Sequence, residues 1–441
     1  MSQYNSTLVS LGFTVTFGMC CALAAGCGGA DHPAVAPPPP AGTTPCPVVT
    51  SAPVPSAVTP EQLMPGVASV AAPLTGGLTV TVKNPLTVAR AAQTISVHLA
   101  DAQKLLPTLQ VAKAIVQGPS GAAVLSQLVD TDGDGKADEL VFQTDFAASE
   151  TKTYLLGEGA RSTPTHEQYK VYGRFARERH DDFAWENDRT AHRMYGPDLE
   201  TFKADPLTSS GIDVWVKRTP RLVVNEWYQS DDYHHDNGDG ADFYSVGPSR
   251  GCGGIGFWDG KALHVSRNFT TTRVLANGPI RLIFELSYAP WDAGGGLKVS
   301  ETKRITVDAG QHFDHFESTF KVTGKGKPLT LAIGIAKHPD STFDTDQANG
   351  TLRSWEKFTG DNGHLGCALV NVAGPAAGFA EIATDRLLLS TVPAAASVTY
   401  LAGTGWDKGA GDVPDAAAWA ALVNTAASEA KAPLAVSLAV R

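Results

Sequence analysis

Short runs of alternating apolar and polar residues are the feature that most restricts the fold of this 441-residue chain. The runs from Leu78 to Val82 and from Ile95 to Leu99 place every second side chain on one face, as a half-buried strand does. Comparable runs recur at 140–146, 153–156, 212–216, 221–228, 280–288, 299–307, 312–322, 329–335, 387–391, 398–402 and 434–440. The pattern predicts an all-β chain.

One segment near the C-terminus has helical spacing instead. Trp419, Val423 and Ala426 fall on one helical face, Asp415 stands where a helix cap would be, and Pro433 lies just past the end. Many strands, 44 glycines and 28 prolines favour a sandwich architecture. We therefore expect a smaller N-terminal β-sandwich portion at 70–160, a main antiparallel β-sandwich domain at 161–441, and one C-terminal helix.

The residues before the strands have a different composition. Residues 1–27 are mostly apolar or small and end in Ala-Ala-Gly-Cys, which resembles a bacterial lipoprotein signal with Cys27 as the lipidated residue. The first residues lack Lys and Arg, so an ordinary signal peptide is the alternative. Residues 28–69 are rich in Pro and Ala and predict a disordered linker. We expect an exported protein, held in the periplasm or at the outer membrane through Cys27 alone, or else secreted.

Charge and cysteine usage exclude several classes of function. A net charge of -10 leaves no basic surface for phosphates, so we expect no nucleic-acid partner. Outside the leader and linker, Cys252 and Cys367 are single and far apart in the sequence, which excludes zinc-ribbon and thioredoxin-like motifs. They form either a disulfide or two buried thiols.

The densest group of charges lies between Arg174 and Glu200, where both signs are interleaved with aromatic residues. A solvated helix face or a disordered charged run would not combine these residue types. The stretch predicts a pocket for a polar, ring-shaped ligand, and a buried ion-pair network is the alternative. A second polar cluster, rich in His and Asp, runs from Tyr233 to Tyr244 and predicts the opposite wall of a cleft. Its own alternative is a surface turn satisfied by local hydrogen bonds.

These two stretches supply the candidate site residues. General acid–base chemistry needs groups with shifted pKa values, and guanidinium groups pair bidentately with carboxylates. The candidate catalytic residues are His180, Glu186, Asp188, His192, Tyr195 and His235. The candidate substrate-binding residues are Arg177, Arg179, Trp185, Arg189, Arg193, Tyr233, His234, Asp236 and Trp258.

A turn between two strands has the spacing of a cation site. Asp130, Asp132, Asp134 and Asp138 stand at alternating positions around glycines, and calcium takes about six to eight oxygen ligands in flexible geometry. The twelfth position of the loop is Val141, so the bidentate Glu of an EF-hand is missing. The turn predicts a structural Ca²⁺ site, with a plain acidic turn as the alternative.

Four stretches together resemble a family of exported bacterial proteins defined as a domain of unknown function. They are the turn at 130–140, ERHDDFAWENDRTAHRMYGP, YHHDNGDGADFYSVG and KRITVDAGQHFDHFES. Members of that family accompany genes for the use of pectin and other uronate polysaccharides. The last stretch is also similar to β-sandwiches of the galactose-mutarotase type, at the level of fold.

The resemblance implies an exported carbohydrate-active protein. An enzyme acting on acidic, uronate-containing saccharides by hydrolase, lyase or epimerase chemistry is the first hypothesis. A surface lipoprotein that binds glycans without chemistry is the alternative, with Trp185, Trp227 and Trp258 as stacking faces. A structural calcium-binding envelope protein, with the charged stretch as internal ion pairs, is a third hypothesis.

Overall fold

The computed structural model describes residues 67–68, 74, 76–325, 330–391, 397–409, 411 and 413–441. The predicted leader at 1–27, the predicted attachment residue Cys27 and the predicted linker at 28–69, except Val67–Ala68, lie outside the described residues. Among the described residues, no helix has both the length and the apolar character that a membrane crossing requires.

Strands dominate the described part of the chain, as the alternating sequence predicts. In chain order they are β1 (Val67–Ala68), β2 (Leu78–Lys83), β3 (Arg90–His98), β4 (Ala114–Gln117), β5 (Ala123–Val124), β6 (Ser126–Val129), β7 (Glu139–Phe146), β8 (Thr151–Glu158), β9 (Arg161–Ser162), β10 (Val171–Ala176), β11 (Asp182–Asn187), β12 (Thr190–Met194), β13 (Asp213–Lys217), β14 (Gly240–Ala241), β15 (Cys252–Trp258), β16 (Leu263–His264), β17 (Thr271–Asn277), β18 (Arg281–Asp292), β19 (Leu297–Asp308), β20 (Phe313–Gly324), β21 (Thr330–Ala336), β22 (Thr342–Asp346), β23 (Thr351–Lys357), β24 (His364–Asn371), β25 (Gly378–Glu381), β26 (Asp385–Thr391), β27 (Ser397–Trp406) and β28 (Ala435–Val440). The α-helices of the described residues are α1 (Leu99–Leu105), α2 (Val224–Ser230) and α3 (Ala416–Lys431), and short 3₁₀ helices lie at Val111–Lys113, His166–Gln168, Arg177–Arg179 and Pro197–Thr201.

The strand ladders of the described residues are antiparallel, and three sheets form the larger part of the fold. Their strand orders are β17-β18-β19-β20-β27-β24-β23-β22, β16-β15-β21-β26-β25 and β10-β11-β12-β13-β14. Side chains of all three sheets share one core, which includes Trp185, Phe257, Phe284, Phe316 and Tyr400. Sheets packed face to face over a common core define a β-sandwich. The prediction of an all-β sandwich is confirmed.

The first strands of the described chain build two further sheets. Their orders are β28-β2-β8-β4-β5 and β3-β7-β6, and β1 pairs with β9. Leu78, Val80, Ile95 and Phe142 are buried between these sheets. Because Ala435–Val440 pairs with β2, this portion draws on both ends of the folded chain.

Helix α3 has the predicted cap and the predicted buried face. The side chain of Asp415 accepts a hydrogen bond from Ala418 N at 2.8 Å, which satisfies one of the free N–H groups of the first turn. Trp419 and Val423 are buried, and Phe313 stacks on the Trp419 ring at a centroid distance of 5.8 Å. The prediction of one C-terminal helix is confirmed.

Helix α2 replaces a strand that the sequence predicts at 221–228. Val224, Trp227 and Tyr228 fall on one helical face and are buried, whereas the side chains between them point to solvent. The buried face packs on Trp215 of β13, whose ring lies 5.5 Å from that of Trp227. The β-propensity of the valines is therefore overridden by an apolar stripe at helical spacing. The predicted strand is wrong.

The sheet β10–β14 presents two different faces. Phe183 and Trp185 of β11 point into the main core, where Phe183 stacks on Phe284 at 4.1 Å. Asp182 and Glu186 alternate with them and so point to the opposite face, which α2 partly covers. The end of this face that α2 leaves uncovered holds the candidate site.

Candidate functional site

A cavity of about 690 Å³ opens at the end of β11, β12 and β13. We call it the Arg193 cavity. Its lining residues are Arg179, His180, Asp182, Arg193, Tyr195, Leu199, Phe202, Asp205, Leu207, Asp213, Asp231, Tyr233, His234, Asp242, Tyr244, Ser245, Val246 and Gly247. This volume is within the usual range for small-molecule sites.

Strand register explains why Arg193 is surrounded by carboxylates. Arg193 of β12 lies directly opposite Asp213 of β13 and opposite Ala184 of β11. Asp182 is two residues before Ala184 and therefore shares its face. The second stretch returns to the same sheet through β14, where Gly240 pairs with Lys217 and has a φ of 105° that favours glycine. Asp242, two residues after this glycine, is thereby brought to Arg193.

The guanidinium of Arg193 is bound on three sides. Its Nη2 donates to Asp213 Oδ2 at 2.6 Å and to Asp242 Oδ2 at 3.3 Å, and Nε donates to Asp213 Oδ2 at 3.0 Å. Nη1 lies 3.7 Å from Asp182 Oδ2 and donates to the Tyr233 hydroxyl at 3.4 Å. The three carboxylates are each at most 4% exposed.

Burial changes the proton affinity of this cluster. Burial raises the pKa of Asp182 to about 7, although Arg193 acts in the opposite direction. Burial and the nearby Asp213 carboxylate raise the pKa of Asp242 well above its usual value. Burial also works against the charged form of Arg193, but its carboxylate neighbours, Asp213 foremost, raise its pKa. One cation among three buried carboxylates therefore favours retention of protons near neutral pH.

The backbone next to Asp182 is strained. His180 and Asp181 both have positive φ values, 58° and 64°, which residues other than glycine rarely adopt. The ring of His180 lies 3.9 Å from that of Phe202, and its Nδ1 is 3.1 Å from Asp198 Oδ2. Strained residues persist only where the surrounding structure holds them in place, and they are found most often at functional sites.

Tyr233 and His234 form the opposite wall. The Tyr233 hydroxyl accepts hydrogen bonds from Arg179 and Arg193, and Arg179 also pairs with Asp231 at the rim. His234 Nδ1 lies 3.1 Å from the backbone oxygen of Asp242. The backbone bond from Asp242 N to Tyr233 O, at 2.7 Å, closes the loop. Aromatic, cationic and acidic groups thus meet around one space.

The structure brings six of the sequence-predicted site residues to this cavity. They are Arg179, His180, Arg193, Tyr195, Tyr233 and His234. The two stretches that the sequence singled out therefore lie across one space from each other.

Several of the other predicted residues are buried elsewhere, for structural reasons. Glu186 is nearly inaccessible, pairs with Lys217 Nζ at 2.6 Å and accepts hydrogen bonds from the N-terminal N–H groups of α2. Trp185 lies in the core, where its Nε1 donates to Asp314 at 2.7 Å. His192 packs against Trp185, and burial lowers the pKa of His192 to about 4.

The remaining candidates occupy turns or the surface, so the expectation that one cleft gathers them all is corrected. Asp188 accepts a hydrogen bond from Gly310 N at 2.6 Å, and Arg189 lines a separate cavity of about 20 Å³. Arg177 is 89% exposed in its side chain, and Trp258 pairs with Leu263 at the end of β15. His235 contacts Asp232, and Asp236 pairs with Arg218 outside the Arg193 cavity.

Three carboxylates at the centre of the cavity were missed as site candidates. Asp182, Asp213 and Asp242 lie in or beside strands, and sequence distance hides their proximity. The available signal was Asp213, a charged residue within the apolar strand Ile212–Val216. A buried carboxylate in a strand requires a partner, and Arg193 is that partner.

The acidic turn places three of its four candidate ligands together. Carboxylate oxygens of Asp130, Asp132 and Asp138 lie within 4.8 Å of one another. Asp134 instead points to Lys136 Nζ at 3.3 Å. Asp130 and Asp138 also accept backbone hydrogen bonds within the turn, at 2.8 Å from Gly135 N and 2.7 Å from Thr131 N. The candidate metal ligands are all carboxylate oxygens, which suits Ca²⁺.

We expect Ca²⁺ to bind this turn and to stabilise the fold. A ligand at 100 times its dissociation constant adds about 2.7 kcal/mol, so the melting temperature should rise with added Ca²⁺ and fall with a chelator. Replacing Asp130 by Asn should abolish that response in thermal unfolding, whereas the exposed Asp101→Asn control should retain it. An identical melting temperature in Ca²⁺ and in chelator would identify the turn as a plain acidic turn.

Cys252 and Cys367 are buried and are not bonded to each other. The Cys252 thiol donates to the backbone oxygen of Gly403 at 3.4 Å. Of the two alternatives that the sequence left open, the structure has the two buried thiols.

The buried Asp314 gives the fold a pH dependence. Burial raises the pKa of Asp314 to about 7, so between pH 4 and 7 the folded chain binds this proton and the unfolded chain does not. The contribution of Asp314 to stability should therefore fall as pH rises through this window, whereas that of His192, whose pKa burial lowers to about 4, should rise as the unfolded chain loses its imidazole proton. Asp314→Asn should retain the bond from Trp185 and remove the contribution of Asp314 to the pH slope of stability, a gain of roughly 1–3 kcal/mol above pH 7. Denaturant unfolding at several pH values tests this, and an unchanged slope would contradict it.

Comparison with known proteins identifies the family. The chain belongs to the family described as Domain of unknown function (DUF4861), whose profile matches residues 82–436. A relative, Uncharacterized protein P7 of Formosa agariphila, is 33% identical over 376 residues, which is 81% of this chain and 93% of that protein.

Two solved structures from Enterococcus faecalis match this chain at low similarity. One is an alpha-mannosidase, with a TM-score of 0.45 and 10% identity over 82% of this chain and 46% of that chain. The other is a protein in the glycosyl hydrolase family 38, with a TM-score of 0.43 and 9% identity over 82% and 47%. This chain thus spans about half the length of either structure. Likeness at this level does not extend to site residues.

Proposed function

We propose that this chain is a carbohydrate-active enzyme that performs general acid–base chemistry in the Arg193 cavity. The observation that carries the proposal is the pair of buried carboxyl groups, Asp182 and Asp242, whose pKa values are raised inside one cavity of about 690 Å³. Perturbed titratable groups in a cleft are the usual mark of a catalytic site. A carboxyl group that keeps its proton can serve as an acid beside a carboxylate that serves as a base.

Asp182 is the candidate general acid. With a pKa of about 7 it holds its proton for about half the time near neutral pH, which suits proton transfer to a leaving oxygen. Asp213, bound to Arg193 through one oxygen, is the candidate carboxylate partner. Hydrolysis, elimination and epimerisation all need such a proton donor and acceptor, so the proposal covers acid–base chemistry without assigning one of the three reactions.

The walls of the cavity suit a sugar ring. Phe202 offers a partly exposed ring for the apolar side of a pyranose, and carboxylates accept hydrogen bonds from its hydroxyl groups. Tyr195 and Tyr233 also line the cavity, but their rings lie against Arg193 and Arg179. The rings of His180 and Phe202 already pack together at 3.9 Å at one edge. A polyhydroxylated ring can therefore be held by stacking and hydrogen bonds at the same time.

A binding protein without chemistry is less well supported. That hypothesis needs aromatic residues on an exposed platform. Of its three tryptophans Trp258 is partly exposed, but Trp185 is inaccessible and Trp227 is 8% exposed. The rings of these two pack inside the fold, in the core and beneath α2. The acidic and basic groups converge in a cavity instead, which favours the enzyme.

Export and attachment through Cys27 are finer parts of the proposal, whereas specificity for uronates is an expectation of the sequence and is not part of it. Export and attachment rest on the sequence pattern of residues 1–27. Uronate specificity rests on the arginines of the charged stretch and on the family resemblance. Of the four arginines predicted to bind the substrate, Arg179 and Arg193 line the cavity.

Incubation of the purified protein with a panel of pectic, other uronate and neutral oligosaccharides tests the proposal. Mass spectrometry would detect cleavage or addition of water, ultraviolet absorbance would detect an unsaturated uronate, and nuclear magnetic resonance would detect an epimer, which has the same mass as its substrate. We expect at least one substrate to be converted by the wild type and by the Asp101→Asn control. Binding without conversion across the panel would contradict the enzyme assignment for those sugars.

A further inference from the structure

We infer that the Arg193 cavity takes a non-acidic sugar, one whose ring presents hydroxyl or ammonium donors, and discriminates against uronates. The inference rests on the proposed function, because it assigns the ligand of the same site. It runs opposite to the expectation of an acidic substrate, and three observations carry it.

The first observation is the charge of the lining. Five aspartates line the cavity against two arginines, Arg179 and Arg193; the aspartates are Asp182, Asp205, Asp213, Asp231 and Asp242. Protons on Asp182 and Asp242 reduce the negative charge but do not make the lining positive. A carboxylate ligand would enter a space without surplus cationic charge, where like charges repel.

The second observation is that both arginines are bound by carboxylates of the chain itself. Arg193 contacts three of them, the nearest at 2.6 Å. Arg179 is held between Asp231 and the Tyr233 hydroxyl. A uronate carboxylate that competed for either guanidinium would leave an aspartate without its partner, and for Arg193 these aspartates are buried.

The third observation is an excess of acceptors over donors in the lining. The guanidinium groups of Arg179 and Arg193 already donate to aspartates and to Tyr233, whereas five aspartates supply acceptor oxygens. A sugar hydroxyl or an ammonium group supplies a donor for such oxygens, whereas a carboxylate supplies only further acceptors.

The histidines of the cavity do not offset its excess of negative charge and of hydrogen-bond acceptors. His180 Nδ1 faces Asp198 at 3.1 Å, and His234 Nδ1 faces the backbone oxygen of Asp242 at 3.1 Å. Both contacts join a histidine to an acceptor of the chain. A proton on either ring would therefore be shared with that acceptor rather than directed at a ligand.

Calorimetric binding to the full chain near neutral pH, with matched sugars, tests the inference. The probes are galactose, galactosamine and galacturonate, each as the monosaccharide and as a short homo-oligomer. We expect the uronate to bind at least about tenfold more weakly than the neutral sugar, a difference of about 1.4 kcal/mol. Asp242→Asn should weaken galactosamine more than galactose, since it removes the ionisable acceptor.

A second variant keeps the inference testable if Asp242→Asn fails to fold. Asp231 is at the rim with a side chain 72% exposed, so Asp231→Asn should fold and should release Arg179. It is expected to narrow the discrimination against galacturonate several-fold. Tighter binding of galacturonate than of galactose by the wild type would overturn the inference and leave the enzyme proposal intact. Absence of binding by every probe would contradict both.

Discussion

Replacing Asp182 by asparagine is expected to lower turnover by about 10²–10⁴-fold, the usual contribution of a general acid or base. The amide has nearly the same shape as the carboxyl group and can still accept the hydrogen bond from Gly196 N, which lies 3.2 Å from Asp182 Oδ1. It cannot release and regain a proton. The loss should therefore appear in turnover rather than in folding.

Two comparisons separate this effect from a structural one. Asp101→Asn, an exposed substitution on α1, should leave turnover unchanged, and circular dichroism should show the native fold for both variants. Wild-type turnover should decline as pH rises above about 7, because the acid loses its proton, with an apparent pKa that belongs to the carboxyl cluster as a whole. Retention of more than about a tenth of wild-type turnover by Asp182→Asn would remove Asp182 from the mechanism.

Replacing Lys217 by methionine is expected to destabilise the fold by about 3–5 kcal/mol, because one member of a buried ion pair is then left alone. Lys217 Nζ donates to Glu186 at 2.6 Å and to the backbone oxygen of Asn187 at 2.7 Å, and both charged side chains are 1% exposed. The Glu186 carboxylate also accepts hydrogen bonds from the backbone N–H groups of Val223 and Val224 at the start of α2. Loss of the lysine therefore weakens the support of the helix that covers the site face.

A double-mutant cycle tests this coupling. Glu186→Gln alone should also destabilise, and the double variant Glu186→Gln, Lys217→Met should lose less than the sum of the two single losses. Denaturant unfolding gives the three free energies. Arg221→Met, at solvent-accessible pairs with Glu226 and Asp239, is the matched control and should change stability by no more than about 1 kcal/mol. Additive losses in the cycle would show that Glu186 and Lys217 do not act as a pair.

The strands could be predicted from the sequence because a strand that is half buried must alternate. The predicted run at 299–307, for example, lies inside β19, and the run at 398–402 lies inside β27. Helix α2 could not be predicted in this way. Its residues have strand-forming propensity, and the deciding interactions are with Trp215 and Glu186 of other strands, outside the segment itself.

The two stretches that form the site could be predicted from the sequence, but the carboxylates at its centre could not. The density of charge between Arg174 and Glu200 indicated a functional region, and the loop from Tyr233 to Tyr244 indicated its opposite wall. Sequence could not say which charges would face each other, because one residue of strand register moves a side chain to the other face. Glu186 and Asp182 lie four residues apart on one face, yet α2 covers the first and leaves the second at the cavity.

The most direct test of the central claim is a crystal structure of Asp182→Asn soaked with an oligosaccharide that the wild type converts. The account predicts a sugar ring in the Arg193 cavity, between Tyr233 and the carboxyl groups of residues 213 and 242, with a donor of the ring at Asp242. A sugar bound at another surface, with the Arg193 cavity free of it, would contradict the assignment of the site.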